Sequence, residues 1–154
     1  ISQAAEFAKI GGMIDFTAND PSASAKPACA SIARCIGAGA PAENITLSSD
    51  SFGSLPRFDA AGNCVGLTYV LPDVLLKTVK SCVKNRGMSL ETALGFVTKN
   101  PAKAIGLENT KGCIKEQADA DILLLDDDLD IRTVIAKGKT AYKDGECIIK
   151  GRFE

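Results

Sequence analysis

The chain has 154 residues, and its 18 basic and 19 acidic side chains give a formal net charge of -1 without a basic stripe, which argues against nucleic acid as a partner. Apolar runs such as residues 122–125 are far shorter than the ~20 residues that span a bilayer, so no membrane partner is expected. The absence of histidine excludes Ser-His and Cys-His nucleophile systems and any histidine-ligated metal site built from this chain alone.

The first part of the chain is predicted to alternate helix and strand. Residues 1–10 form an amphipathic helical pattern, and residues 13–17 alternate like a strand before a loop at residues 19–24. An alanine-rich helix is predicted at residues 26–37 and a second strand at residues 45–50. This order implies parallel strands joined by right-handed crossovers, and hence an α/β sheet or a barrel segment.

The middle of the chain is predicted to be a loop followed by helices. Residues 51–66 are rich in glycine, proline and serine, which is typical of an irregular loop. Apolar residues then recur at helical spacing over residues 73–85, and Ser89 is placed to cap a further helix. The Asn-Pro pair at residues 100–101 is expected to end that helix and to leave a short turn at residues 102–107.

From about residue 111 the pattern changes to short strands separated by turns. The predicted strands are residues 122–125, 131–136, 139–142 and 146–149. We therefore divide the chain into residues 1–110 and 111–154. The second part is marginal as an independent core, so we expect it to need strands from elsewhere.

Cysteine usage favours a reducing compartment. No two of the six cysteines have a Cys-x-x-Cys spacing, no secretory signal is recognisable, and most lie among small apolar residues. We expect free thiols in a cytoplasmic protein rather than a disulfide framework or a zinc site made of cysteines.

Asp50 is the strongest candidate for chemistry. On a strand over residues 45–50, alternation places Thr46, Ser48 and Asp50 on one face and leaves the carboxylate at the carboxyl end. That end is where α/β barrels carry their reactive groups. An aspartate followed by serine and glycine also commonly bonds its own loop, so a turn cap remains an alternative.

Two charged clusters favour simpler interpretations. The aspartates at residues 126–128 and 130 lack the alternating ligands and the central glycine of an EF-hand, so a solvated turn is expected there. The basic side chains of residues 77, 80, 84 and 86 are expected to form a solvated helical edge.

Several segments resemble isoaspartyl (β-aspartyl) dipeptidases of the metal-dependent amidohydrolase superfamily. Residues 46–54, Thr-Leu-Ser-Ser-Asp-Ser-Phe-Gly-Ser, resemble the last barrel strand of that family, in which Ser-Ser-Asp precedes a loop with Gly-Ser. The other similar segments are residues 58–63, 100–107, 111–114, 120–126, 136–139, 143–146 and 150–154. The tail is common to amidohydrolases at large, and the Asp50 to Ser54 loop with the Gly-Arg-Phe-Glu ending is specific to the family.

The resemblance implies a (β/α)8 TIM-type barrel with a small antiparallel β-sandwich built from both chain termini. This chain would supply the C-terminal segment of the barrel with residues 1–110 and strands of the sandwich with residues 111–154. The implied activity is zinc-dependent hydrolysis of β-aspartyl dipeptides at a site with two zinc ions. Carried over residue by residue, Asp50 would ligate one metal and shuttle a proton, and Ser54 would contact the aspartyl half of the substrate.

The chain also departs from the family pattern. The family's His-x-His, carboxylated lysine, further histidines and carboxylate-binding arginines have no matching position and belong before Ile1. One carboxylate cannot hold two zinc ions, because catalytic zinc usually has three protein ligands. We therefore expect a C-terminal piece that is inactive and zinc-free by itself. Gln117 stands where the tail usually has glycine, and a positive φ there would cost about 1 kcal/mol.

Two alternatives remain open at this stage. The parent enzyme could instead hydrolyse an N-acyl amino acid or a cyclic amide. The chain could also be a stand-alone, non-catalytic remnant that acts as an interaction module. Because strands at residues 13–17 and 45–50 would lack barrel neighbours, we expect a homo-oligomer joined through these edges or a locally rearranged sheet.

Overall fold

The computed structural model describes residues 1–18 and 27–151. Its helices are α1 (Ser2–Lys9), α2 (Ala28–Gly37), α3 (Val74–Arg86), α4 (Leu90–Gly95) and α5 (Lys99–Ala104). Its strands are β1 (Ile14–Thr17), β2 (Ile45–Ser48), β3 (Leu55–Phe58), β4 (Cys64–Thr68), β5 (Ile122–Leu125), β6 (Ile131–Ala136), β7 (Lys139–Lys143) and β8 (Glu146–Cys147). A 3-10 turn at Ala42–Asn44 leads into β2. The predicted mixed α/β class is therefore confirmed.

Strands β1 and β2 form a parallel pair, as the alternating order of helix and strand predicted. Their register runs from Ile14 opposite Ile45 to Thr17 opposite Ser48. In the described part of the chain, each pairs with one strand only. The outer edge of β2 is partly satisfied, because the Leu47 N–H donates to the Phe96 carbonyl at 2.9 Å.

The core lies between this parallel pair and the helices. Its most deeply buried large side chains are Phe96, Ile32, Ile45 and Val79, each at most 1% exposed. Asn100 is also buried, and its side-chain amide donates to the carbonyls of Ala42 and Ile45 at 2.9 and 2.7 Å. The start of β2 is thereby fastened to α5, since buried carbonyls need such donors.

The expectation of an irregular loop over residues 51–66 was wrong. The segment contains β3 and the start of β4, which pair as an antiparallel hairpin. Asp59 supplies the turn, because its Oδ1 accepts hydrogen bonds from the Ala61 and Asn63 N–H groups, both at 2.9 Å. The sequence predicted a loop because proline and glycine are uncommon within strands. Pro56 and Gly66 are nevertheless tolerated in this short, exposed hairpin.

The helical boundaries near residue 100 also differ from expectation. Ser89 caps α4 as predicted, and its Oγ accepts from the Thr92 N–H at 3.2 Å. The Asn-Pro pair, however, does not interrupt helical structure, because α5 begins at Lys99 and includes Pro101. A proline in the first helical turn is tolerated, since its missing N–H has no intrahelical partner there.

Strands β5 to β8 form an antiparallel sheet in sequence order. The basic edge of α3 is not simply a solvated face, because two of its lysines reach the β5–β6 turn. Lys80 Nζ lies 2.5 Å from Asp130 Oδ1, and Lys84 Nζ lies 3.0 Å from Asp128 Oδ1. Two members of each charged cluster thus pair with one another, whereas Lys77 pairs with Asp73 and Asp126 pairs with Arg132.

Some predicted segments lie outside the described residues, and some predictions are not tested by the structure. The loop at residues 19–24, Lys26 at the start of the second predicted helix and the last three residues of the Gly-Arg-Phe-Glu ending fall outside the described residues. The boundary between residues 1–110 and 111–154, the assignment of the first part to a segment of a (β/α)8 barrel and the assignment of the second part to a β-sandwich stay predictions. Searching the described helices finds none with the length and apolar character to traverse a bilayer.

Candidate functional site

The parallel pair has an apolar face and a polar face. Ile45 and Leu47 are buried on one side, whereas Thr46 and Ser48 are only partly buried on the other. Across the pair, the Asp15 carboxylate accepts a hydrogen bond from Thr46 Oγ1 at 2.6 Å and another from Ser48 Oγ at 2.5 Å. This carboxylate therefore joins the two strands on the polar face that leads toward Asp50.

Asp50 lies just beyond the carboxyl end of β2, and its backbone differs from the expected strand. The strand ends at Ser48, and Asp50 is exposed with a left-handed φ of 47°. The alternation that assigned Asp50 to the face of Thr46 and Ser48 does not extend to it, because a left-handed residue turns the chain away from strand geometry. Aspartate tolerates this conformation better than most residues do.

The loop after Asp50 is tight. Ser49 Oγ accepts from the Ser51 N–H at 3.2 Å, and the Gly53 N–H donates to the Asp50 carbonyl at 3.3 Å. A Cβ atom added at Gly53 would lie 3.1 Å from both Asp50 Oδ1 and the Asp50 carbonyl oxygen. A side chain at this position would require the Asp50 carboxylate or carbonyl to move by a few tenths of an ångström.

Phe52, inside this loop, also has a left-handed backbone, with a φ of 60°. That conformation is strained for a bulky residue. It is held by a hydrogen bond from the Phe52 N–H to the Val70 carbonyl at 3.1 Å. The Phe52 ring also stacks on Tyr69, with centroids 6.1 Å apart and an interplanar angle of 24°. The segment that follows β4 thus holds the loop that carries Asp50.

Ser54 is exposed and lines an open groove of about 400 Å³. The residues around this groove are Phe52, Gly53, Ser54, Leu67, Thr68 and Tyr69. None of them is charged. The structure therefore brings both predicted site residues into one short loop, with Asp50 at its start and Ser54 at its end beside an apolar groove.

A metal site is not complete within the described residues. They contain no group of three or more His, Cys, Asp or Glu side chains that could hold an ion. Asp50 supplies one carboxylate, and the whole sequence has no histidine. Because catalytic zinc needs about three protein ligands, these residues do not fit a zinc centre on their own.

Sequence reasoning missed Asp15, Phe52 and Tyr69. Asp15 had a usable signal, since alternation over residues 13–17 places it on the face opposite Ile14 and the parallel register brings it to Thr46. The aromatic pair had none, because it depends on the unpredicted hairpin.

Comparison with known proteins gives a family and several relatives. The model of the Amidohydrolase family matches residues 9–141. The crystal structure of a β-aspartyl dipeptidase from Fervidobacterium islandicum AW-1, in complex with β-Asp-Leu dipeptide, is similar with a TM-score of 0.80 and 36% identity. An N-acetylglucosamine-6-phosphate deacetylase of Mus musculus is 35% identical over 68 residues, and an L-hydantoinase of Paenarthrobacter aurescens is 34% identical over 85 residues.

The extent of these similarities differs. The match to the dipeptidase covers 97% of this chain and 39% of that chain. The deacetylase match covers 44% of this chain and 17% of the relative, and the hydantoinase match covers 54% and 18%. The chain thus spans well under half the length of these relatives. Since the family model matches most of its residues, the chain belongs to the amidohydrolase family.

Proposed function

We propose that this chain is the C-terminal part of a zinc-dependent amidohydrolase that hydrolyses β-aspartyl (isoaspartyl) dipeptides. The observation that carries the proposal is the fixed loop from Asp50 to Ser54 at the end of a parallel strand. It is supported by 36% identity over 97% of the chain to a β-aspartyl dipeptidase that was crystallised with β-Asp-Leu. In this proposal, residues 1–110 belong to a barrel and residues 111–154 to a β-sandwich.

Asp50 is proposed to move the catalytic proton. During hydrolysis the oxygen of water bonds to the side-chain carbonyl carbon of the aspartyl residue, and the C–N bond breaks. The Asp50 carboxylate takes the proton that water loses and returns it to the leaving amine. A carboxylate on a tight loop at the end of a strand suits both steps, because a general acid and base acts best from a well-positioned backbone.

The zinc site and the substrate-binding site would be completed by residues outside these 154. Asp50 is proposed as one ligand in a site with two zinc ions, which would supply electrophilic activation of the carbonyl. Ser54, at the other end of the loop, is proposed to contact polar groups of the aspartyl half of the substrate. The isolated 154-residue chain would bind no zinc and would be inactive. We further propose a cytoplasmic homo-oligomer.

A second substrate class has specific support from the relatives. An N-acetylglucosamine-6-phosphate deacetylase and a hydantoinase have percentage identities close to that of the dipeptidase, but over shorter stretches of the chain. These two matches cover 44% and 54% of the chain, against 97% for the β-aspartyl dipeptidase. The β-aspartyl dipeptide therefore remains the better supported substrate.

The test uses the full-length protein that contains these residues. We expect zinc in the purified protein, measured by mass spectrometry, and hydrolysis of β-Asp-Leu in preference to N-acetylglucosamine-6-phosphate and hydantoins. The 154-residue chain alone is the matched control and should show neither property. Preferred deacetylation of the sugar phosphate would replace the proposal with its alternative. Hydrolysis by the 154-residue chain alone would contradict the dependence on further ligands.

A further inference from the structure

The last residue of β2, Ser48, is held by β1 and the residue after it at two points. Its Oγ donates to Asp15 Oδ2 at 2.5 Å, and its carbonyl accepts from the Ala18 N–H at 2.7 Å. Regular strand geometry ends at Ser48, and Asp50, two residues later, has a left-handed φ of 47°. Both contacts therefore lie at the junction between the strand and the loop that carries Asp50.

Asp15 is an unusual residue for its position. It lies inside the four-residue parallel strand β1, and aspartate is depleted in strands. The backbone ladder already sets the register, with Asp15 opposite Thr46 and Thr17 opposite Ser48. The carboxylate therefore reaches along β2, from its own partner in the register to the residue that is paired with Thr17.

The two carboxylate oxygens of Asp15 have separate partners. Oδ1 accepts from Thr46 Oγ1 at 2.6 Å, inside β2, whereas Oδ2 accepts from Ser48 Oγ at the end of the strand. Hydrogen bonds to a charged acceptor are roughly twice as strong as those between neutral groups. A strong contact at the strand end limits the movement of the residues that follow, and a misplacement of about 1 Å in a reacting group costs up to about 100-fold in rate.

We propose, on the basis of the proposed function, that Asp15 is a positioning residue for Asp50. Its carboxylate holds Ser48 and thereby keeps the start of the loop in the place from which Asp50 carries the proton. Asp15 contacts neither substrate nor zinc in this role. Its contribution therefore lies in kcat and not in substrate binding.

The experiment measures kcat and KM of the full-length enzyme for β-Asp-Leu, with rates expressed per zinc-loaded protein. Asp15→Ala and Ser48→Ala should each lower kcat about tenfold and leave KM within about twofold. Combining them should lower kcat no further than either alone, because both remove the same contact. Thr46→Val is the matched control: it breaks the other hydrogen bond of the same carboxylate and should leave kcat unchanged.

A conservative variant and the stability of each protein separate positioning from a general structural role. Asp15→Asn retains an amide oxygen that can accept from Ser48, so its kcat should stay within about threefold of wild type. Urea unfolding should show similar losses of stability for Ser48→Ala and Thr46→Val, because each loses one hydroxyl that donates to Asp15. If Asp15→Ala does not fold, the comparison of these two variants with Asp15→Asn carries the test.

The outcomes separate the two proposals. Equal kcat values in Ser48→Ala and Thr46→Val would overturn the positioning role and leave the proposed function intact. An Asp15→Asn variant as slow as Asp15→Ala or Ser48→Ala would also overturn it, because the charge of Asp15 and not its hold on Ser48 would then matter. If the wild type hydrolyses no β-Asp-Leu, the proposed function fails and the positioning role fails with it.

Discussion

Gln117 offers a stability test that rests on one backbone angle. Its φ is 68°, and its side chain is exposed, so replacing it with glycine removes little packing. The left-handed region costs a non-glycine residue about 1–2 kcal/mol. A glycine substitution lowers the free energy of unfolding by about 0.5–1 kcal/mol, because the unfolded chain gains conformational freedom. Gln117→Gly should therefore raise the free energy of unfolding by about 0.5–1 kcal/mol.

The measurement is urea unfolding followed by circular dichroism, with the melting temperature as a second readout. An increase of 1 kcal/mol raises the melting temperature of a protein of this size by about 2–4 °C. Glu116→Gly is the matched control: Glu116 is also exposed but is not among the residues with positive φ, so it should lose about 0.5–1 kcal/mol. Equal losses in both variants would refute the reasoning from φ.

Three further outcomes are expected. Asn100→Ala should lower the free energy of unfolding in urea by about 2–3 kcal/mol, because the buried Ile45 carbonyl and the partly buried Ala42 carbonyl lose their donor. A loss below about 0.5 kcal/mol, as expected for a surface substitution, would contradict this. At pH 8, iodoacetamide should alkylate exposed Cys64 much faster than buried Cys82, as peptide mass spectrometry would show, and equal rates would argue against the packing. Burial raises the pKa of Cys82 from 9.0 to about 11, with the nearby Cys29 thiol adding to the shift. Since the unfolded thiol ionises first, stability should fall between pH 9 and 11 more steeply in wild type than in Cys82→Ala.

Regular elements could be predicted from local patterns. Alternation at residues 45–48 correctly placed Thr46 and Ser48 on one face, and the opposite face, with Ile45 and Leu47, is the buried one. The alternating order of helix and strand correctly gave a parallel pair. The β5 and β6 strands also begin and end where the sequence predicted. In each case a single buried face imposes a period on the sequence, so the pattern and the structure share one cause.

The differences arise where a few specific contacts decide the conformation. Pro56 and Gly66 indicated a loop, but the Asp59 carboxylate closes a turn that brings two strands together. Asn100 and Pro101 indicated a helix end, but buried hydrogen bonds from Asn100 favour a helix that contains both. Such contacts join residues that are distant or irregularly spaced, and periodicity does not report them.

The candidate site was predictable where it follows a regular strand and not where it depends on specific contacts. A carboxylate after β2 followed from the sequence, and Ser54 followed from the resemblance to dipeptidases. The left-handed backbone of Asp50 and the aromatic pair that holds its loop depend on the hairpin, which the sequence pattern did not predict. The family's usual glycine at the position of Gln117 suggested that the backbone there could have a positive φ, and the structure confirms it.

The role of Asp50 is tested most directly by Asp50→Asn in the full-length protein. We expect β-Asp-Leu hydrolysis to fall by at least about 100-fold, as for loss of a general acid and base, with less zinc retained per chain. Asp127→Asn, which alters an exposed carboxylate in the turn between β5 and β6, should keep both zinc and activity. If Asp50→Asn retains wild-type hydrolysis and zinc content, Asp50 is neither the proton carrier nor a metal ligand.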